Sequence, residues 1–134
     1  MDFFSSMRVS ASGLDAQMKR MNTVSSNIAN AETVGYKRKD AEFQATPDKE
    51  SFSEILADKL DENVQGVTVT GVKEDERPAR MVYNPNHPQA NEEGMVEMPN
   101  VNPVQEMANM ISAQRSYEAN VTAINVARGM ANKA

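Results

Sequence analysis

The sequence predicts a mainly α-helical chain with a small β unit: an antiparallel, coiled-coil-like pair of N- and C-terminal helices flanking a short β-rich middle segment. Three observations predict it. Phe4, Ala11, Met18 and Ser25 recur every seven residues, and Met7, Leu14, Met21 and Ile28 repeat that spacing three positions later, which is a sustained a/d heptad. At the other end Met110, Tyr117, Ile124 and Ala131 recur every seven residues, with Ala113, Asn120 and Ala127 three after each of the first three. Between these ends lie valines alternating with threonines and stretches dense in Pro, Asn and Gly, the chemistry of short strands and turns.

The first element is a helix from about Phe3 to Asn30, the bulk of an N-terminal unit spanning residues 1–31. Gly13 costs it roughly 1 kcal/mol relative to alanine. The helix stops in Asn30-Ala31-Glu32-Thr33-Val34-Gly35-Tyr36, where Gly35 supplies the positive φ of a chain reversal. Residues 32–101 form the middle unit. Asp40 to Pro47 is polar with one anchor, Phe43, and reads as a strand or a loop. Phe52, Ile55, Leu56 and Leu60 are spaced for a short helix over 51–61, capped by Ser51 or Ser53. Val67, Val69 and Val72 predict a strand, paired with Arg80–Tyr83 through the charged turn Lys73–Pro78. Asn84-Pro85-Asn86-His87-Pro88 is a turn, and Gly94–Met98 adds a third strand. The last unit, 102–134, is a helix that Asn102 caps and Pro103 opens, since proline has no amide proton to lose there. Met107 and Val121 widen its apolar seam.

That last helix carries few charges. Between Val104 and Lys133 they are Glu106, Arg115, Glu118 and Arg128, and small, weakly polar residues fill the remaining faces. Neighbouring helices can approach such a surface closely, so it is built to be covered on more than one side. Large core anchors are scarce, with four Phe, three Tyr and no Trp. Ten Met, most of them in the two helices, tolerate more than one packing partner. Two helices of this kind make a marginal isolated hairpin, and the expectation is that their ends order on assembly.

Composition excludes several function classes. A net charge of −5 over 134 residues and a pI near 4.9 argue against a nucleic-acid surface. The one basic cluster, Lys37-Arg38-Lys39, reads as a solvated loop. With no cysteine there is neither disulfide nor thiolate metal site. No cofactor motif is present: no glycine-rich phosphate cradle exists, and His87, the single histidine, lies in a polar turn. The adjacent acids Asp75-Glu76 and Glu92-Glu93 diverge from each other, whereas paired-carboxylate chemistry needs convergent groups. The chain reads as no enzyme. No apolar run approaches the ~18 residues of a membrane span, and Asp2 stands where a cleaved signal wants a basic residue.

One stretch is more specific than periodicity. Ser26-Asn27-Ile28-Ala29-Asn30-Ala31-Glu32-Thr33-Val34-Gly35-Tyr36 resembles the signature of the flagellar axial proteins (rod, hook and hook-associated), with Val34 where the family usually has proline. Asn27, Ala29, Asn30, Thr33, Gly35 and Tyr36 carry the motif. Val82-Tyr83-Asn84-Pro85, Met98-Pro99-Asn100-Val101-Asn102 and the run from Met107 to Val121 are similar to the proximal-rod type of that family. The resemblance implies a structural subunit of the basal-body rod, located where the rod spans the periplasm. It implies export without a cleaved signal through the flagellar type III apparatus, and partners among other rod proteins and copies of itself. It places the paired helices in an inner layer around a central channel. The helix-packing and assembly residues are then Phe4, Met7, Ala11, Leu14, Met18, Met21, Ile28, Met107, Met110, Ala113, Tyr117, Val121 and Ile124. A cytoplasmic coiled-coil adaptor or chaperone-like module is the competing reading of the helices.

Overall fold

The computed structural model describes residues 3–46 and 65–134. The short helix expected over 51–61 lies outside them. Helix α1 runs Phe3–Ala29, followed by strands β1 (Lys39–Ala45), β2 (Val67–Glu74), β3 (Arg80–Tyr83) and β4 (Met95–Met98), and helix α2 (Pro103–Lys133). The two long helices lie side by side and antiparallel. Asn27 near the end of α1 reaches Glu106 near the start of α2, while Gly13 lies against Asn120.

Local sequence chemistry sets both inner ends of this hairpin. Beyond α1 the chain turns through Gly35, at φ +79°, the left-handed value expected of that glycine. Asn30 ties the turn down, donating from Nδ2 to the Ser26 carbonyl at 2.8 Å and accepting from the Thr33 hydroxyl at 3.2 Å. At the start of α2, Asn102 Oδ1 accepts from the amides of Val104 (3.1 Å) and Gln105 (3.4 Å). Pro103 occupies the first turn, as the capping chemistry predicts.

The strands form two separate antiparallel ribbons, β1–β2 and β3–β4. The expected pairing of Val67–Val72 with Arg80–Tyr83 does not form. Asp40–Pro47 is the reason: its first part is β1, and it takes β2 as partner from Lys39↔Glu74 to Ala45↔Val67, with a bulge between Glu42 and Phe43. The Asp75 amide closes that ribbon onto the Arg38 carbonyl at 2.7 Å. Pro78, with no N–H to give, breaks any continuation of the ladder. β3 then finds its partner in β4, from Arg80↔Met98 to Tyr83↔Met95. The turn between them rests on Gly94, at φ +77°, and on Asn91 Oδ1, which accepts from the amides of Glu93 and Met95.

Both ribbons are anchored to the helical hairpin. Ser12 Oγ on α1 accepts from the Val67 amide at 3.1 Å, and Gly66 is small because a Cβ there would come within 2.9 Å of that oxygen. The Gly35 amide donates to the Glu97 carbonyl of β4 at 3.4 Å. Among the described residues the apolar core is small. Ala16, Val24, Ala31, Val96, Val101 and Ala113 are its buried members, joined by the polar Ser10, Thr23, Asn27 and Glu106.

Candidate assembly site

The residues of the turn motif converge on one buried amide. Asn27 has no solvent exposure, and every hydrogen-bonding position of its side chain is filled. Its Nδ2 donates to the Lys39 carbonyl at 2.7 Å and to Glu106 Oε2 at 3.2 Å. Its Oδ1 accepts from the Lys39 amide and from the Tyr36 hydroxyl, each at 2.9 Å. Toward Lys39 the carboxamide thus behaves as a neighbouring strand would, engaging both backbone groups at the head of β1. Since the Tyr36 proton points at Asn27, Ser26 Oγ, 3.1 Å from the Tyr36 oxygen, is the donor in that second contact. One side chain joins the last turn of α1, the reversal, the start of β1 and the first turn of α2.

A chain of charges extends from this amide. Glu106 is 1% exposed, and burying a lone carboxylate is costly. Here one oxygen faces Asn27 and the other accepts from Arg38 Nε at 2.5 Å. Arg38 turns its two terminal nitrogens to the carboxylate of Asp40, at 2.5 and 2.9 Å, and lies 3.5 Å from Asp75. Arg77 completes the chain on Asp75, at 2.5 Å. Burial works against the Arg38 charge, but its hydrogen bonds to Asp40 and Glu106 outweigh that and raise its pKa above the ordinary arginine value. The side-chain and then the backbone hydrogen bonds from Arg77 hold the Asp75 carboxyl well below the usual carboxylate range. The expected solvated loop over Lys37-Arg38-Lys39 is therefore corrected at its centre: Lys37 is exposed, whereas the Arg38 side chain is 11% exposed and fully engaged.

The two helices differ in how they place the stripe residues. On α2 the seam turns inward: Ala113 is buried and Met110, Tyr117, Val121 and Ile124 are half-buried, while Met107 lies outside it at 53% exposure. On α1 the heptad stripe is not the most buried face of the helix. Its buried residues are Ser10, Ala16, Thr23, Val24 and Asn27, and Gly13 meets Asn120 so closely that a Cβ would come within 2.8 Å of the amide nitrogen. The stripe itself is partly open. Phe4 is 69% and Met18 47% exposed; Ala11 is exposed, and Met7, Leu14, Met21 and Ile28 are half-buried.

Of the motif residues, the structure brings Asn27, Asn30, Thr33, Gly35 and Tyr36 into one hydrogen-bonded turn, and Ala29 closes α1 with its side chain exposed. Sequence reasoning passed over Arg38, Glu106 and the small face of α1. Glu106 did leave a signal, as a lone acid in the first turn of a nearly uncharged helix. Arg38 left one by directly following the turn. Among the described residues no three His, Asp or Glu side chains converge to hold a metal. His87 accepts from the Gln89 amide at 3.1 Å, which ties it to its own turn.

The chain's relatives agree on what these two ends are. Residues 7–37 match the family described as flagella basal body rod protein, and residues 92–134 match the C-terminal family of flagellar basal body rod FlgEFG proteins. Over its whole length the chain is 44% identical to the flagellar basal-body rod protein FlgC of Bacillus subtilis, covering 97% of that protein. It is 39% identical to FlgC of Borreliella burgdorferi, over 97% of this chain and 93% of that one. With FlgC of Aquifex aeolicus the identity is 40%, over 96% of this chain and 91% of the other. With near-complete coverage on both sides, and both termini matched separately, the chain belongs to the FlgC family of flagellar basal-body rod proteins.

Proposed function

We propose that this chain is a structural subunit of the flagellar basal-body rod, assembling with copies of itself and with other rod proteins through its two terminal helices into a helical axial tube. The observation that carries the reading is the partly open stripe on α1. Burial of apolar surface is worth about 25 cal/mol per Å², and a heptad stripe that leaves Phe4 and Met18 exposed and Met7, Leu14, Met21 and Ile28 half-covered is a surface that a partner covers. The hydrogen-bonded turn does a different job. It fixes the hairpin's register and the angle at which the ribbons leave it, so the helices form the inner layer and the β ribbons lie outside, against neighbouring rod subunits. Phe4, Met7, Ala11, Leu14, Met18, Met21 and Ile28 meet neighbours, while Met110, Ala113, Tyr117, Val121 and Ile124 hold α2 on its own α1. The chain leaves the cell by the flagellar type III export apparatus, without a cleaved signal, and takes its place where the rod spans the periplasm. No helix among the described residues is long and apolar enough to cross a membrane. The role is structural, in keeping with a family of rod proteins and not of enzymes.

Removal of Gly129–Ala134 tests this. The shortened chain is expected to keep the melting behaviour of the turn and ribbons, and to lose co-assembly with other rod proteins in isolated basal bodies. Recovery of the truncated chain in basal bodies at the full-length level, with motility intact, contradicts the proposal.

A further inference from the structure

We infer that the partly open stripe of α1 is covered by the outward face of α2 from a second copy, running antiparallel to it, so that the contact repeats head to tail around the tube. The inference rests on the reading of the chain as a rod subunit and names which surface meets which. At 100° per residue, the α1 positions packed inward (Gly13, Ala16, Val24, Asn27) and the stripe point in directions roughly 140° apart. α2 has an open face as well. Val104, Met107, Ile111, Val126 and Met130 are each more than half exposed, on the side opposite Ala113 and Asn120. One hairpin therefore carries two apolar faces directed away from each other. They cannot meet within a chain, and a two-fold pair cannot satisfy both at once. A repeating heterologous contact can, and such contacts produce rings or open helical assemblies. Copies standing side by side in the same sense present α2 antiparallel to the next α1, because the two helices are antiparallel within each copy.

Shape and charge both fit. Ala108, Ala119 and Gly129 leave grooves among the exposed side chains of α2, and the large side chains of the stripe (Phe4, Leu14, Met18) are ridges that enter such grooves. The stripe holds no charge, but exposed Arg8 and Asp15 border it, and exposed Arg115 and Glu118 lie on the α2 face. Laid antiparallel, Arg8 meets Glu118 and Asp15 meets Arg115. Arg8 and Asp15 are seven residues apart on α1, whereas Arg115 and Glu118 are three apart on α2, an axial mismatch of about 6 Å, or 3 Å at each end, at 1.5 Å per residue. Arginine side chains span that distance.

The chain has no cysteine, so engineered thiols report contacts unambiguously. Full-length Met7→Cys and Thr122→Cys, an exposed position of the α2 face that this register sets opposite Met7, carry tags of different size and are co-expressed in flagellated cells, oxidised mildly, and basal bodies are isolated. The mixed cross-link is expected at least tenfold above either homodimer, and the double variant should give a ladder. Homodimers of Met7→Cys equal to the mixed species, or motile cells with no mixed species, overturn the inference. Neither outcome touches the rod reading, which fails instead if the wild-type chain is missing from basal bodies. Should the thiol variants fail to assemble, the charge pair decides. Glu118→Arg is expected to lower incorporation at least fivefold and added Arg8→Glu to restore it, whereas no restoration overturns the contact.

Discussion

At the scale of single residues, adjacency in sequence says little about role. Lys37 and Arg38 are neighbours of the same charge, yet one is solvated and the other is the link between Glu106 and the acids of the β1–β2 ribbon. Replacing Arg38 by Ala leaves the Glu106 carboxylate buried with only Asn27 to face it. Removing one partner of a buried pair costs about 3–5 kcal/mol, whereas a surface charge such as Lys37 is worth within about 0.5 kcal/mol. Thermal melts of Arg38→Ala and Lys37→Ala are expected to differ accordingly, and equal melting temperatures contradict the network's role. Gly13 shows the same point from the opposite direction. Helix propensity alone makes it a defect of roughly 1 kcal/mol, but Asn120 occupies the space a side chain would need, so the glycine is the condition for close helix approach. Residue roles were least legible where they depend on a partner many positions away. Asn27 and Glu106 are 79 residues apart in sequence, and nothing local to either announces the contact.

At the scale of elements, the helices were legible and the strand pairing was not. Both helix ends follow from short-range chemistry: Asn102 and Pro103 at one, Asn30 and Gly35 at the other. A strand's partner is a long-range choice. Asn27 holds both backbone groups of Lys39, which sets the head of β1, and β1 takes β2 while β3 takes β4. The same ribbon carries a pH dependence. Asp75 has an ordinary pKa of 3.8 that falls in the folded chain, chiefly through its hydrogen bonds from Arg77. A group whose folded pKa is depressed contributes stability above its unfolded value and loses it as pH falls toward the folded one. The contribution is thus complete at neutral pH and declines below about pH 3.8. The arginines add no slope there, because their raised values matter only far above neutrality. Melting temperature measured from pH 6 down to pH 2 should fall more steeply for the wild type than for Asp75→Asn. Parallel curves contradict the assignment.

At the scale of the whole molecule, the interior formed by the described residues is too small to hold both helices along their full length. Among the described residues the largest fully buried side chains are Glu106, Val96, Asn27 and Pro99, none of them aromatic and two of them polar. All four belong to the end where the turn, β4 and the start of α2 meet. Toward the opposite end the inward face of α1 offers Ser10, Gly13 and Ala16, whose burial returns little at ~0.8 kcal/mol per buried CH₂, while each ordered backbone costs ~1–2 kcal/mol. Stability is therefore graded along the hairpin, and local opening follows that gradient. Amide exchange on dilute free chain is expected to show protection at Asn27, Lys39 and Glu106–Ala113, falling steadily toward Phe3 on α1 and toward Lys133 on α2. In assembled rods the same amides should be protected throughout, because neighbours then cover the stripe that the isolated fold leaves partly open. Uniform strong protection from Met7 to Ile28 in the free chain would mean that the hairpin satisfies itself, and the apolar stripe would lose its physical reason to seek a neighbour.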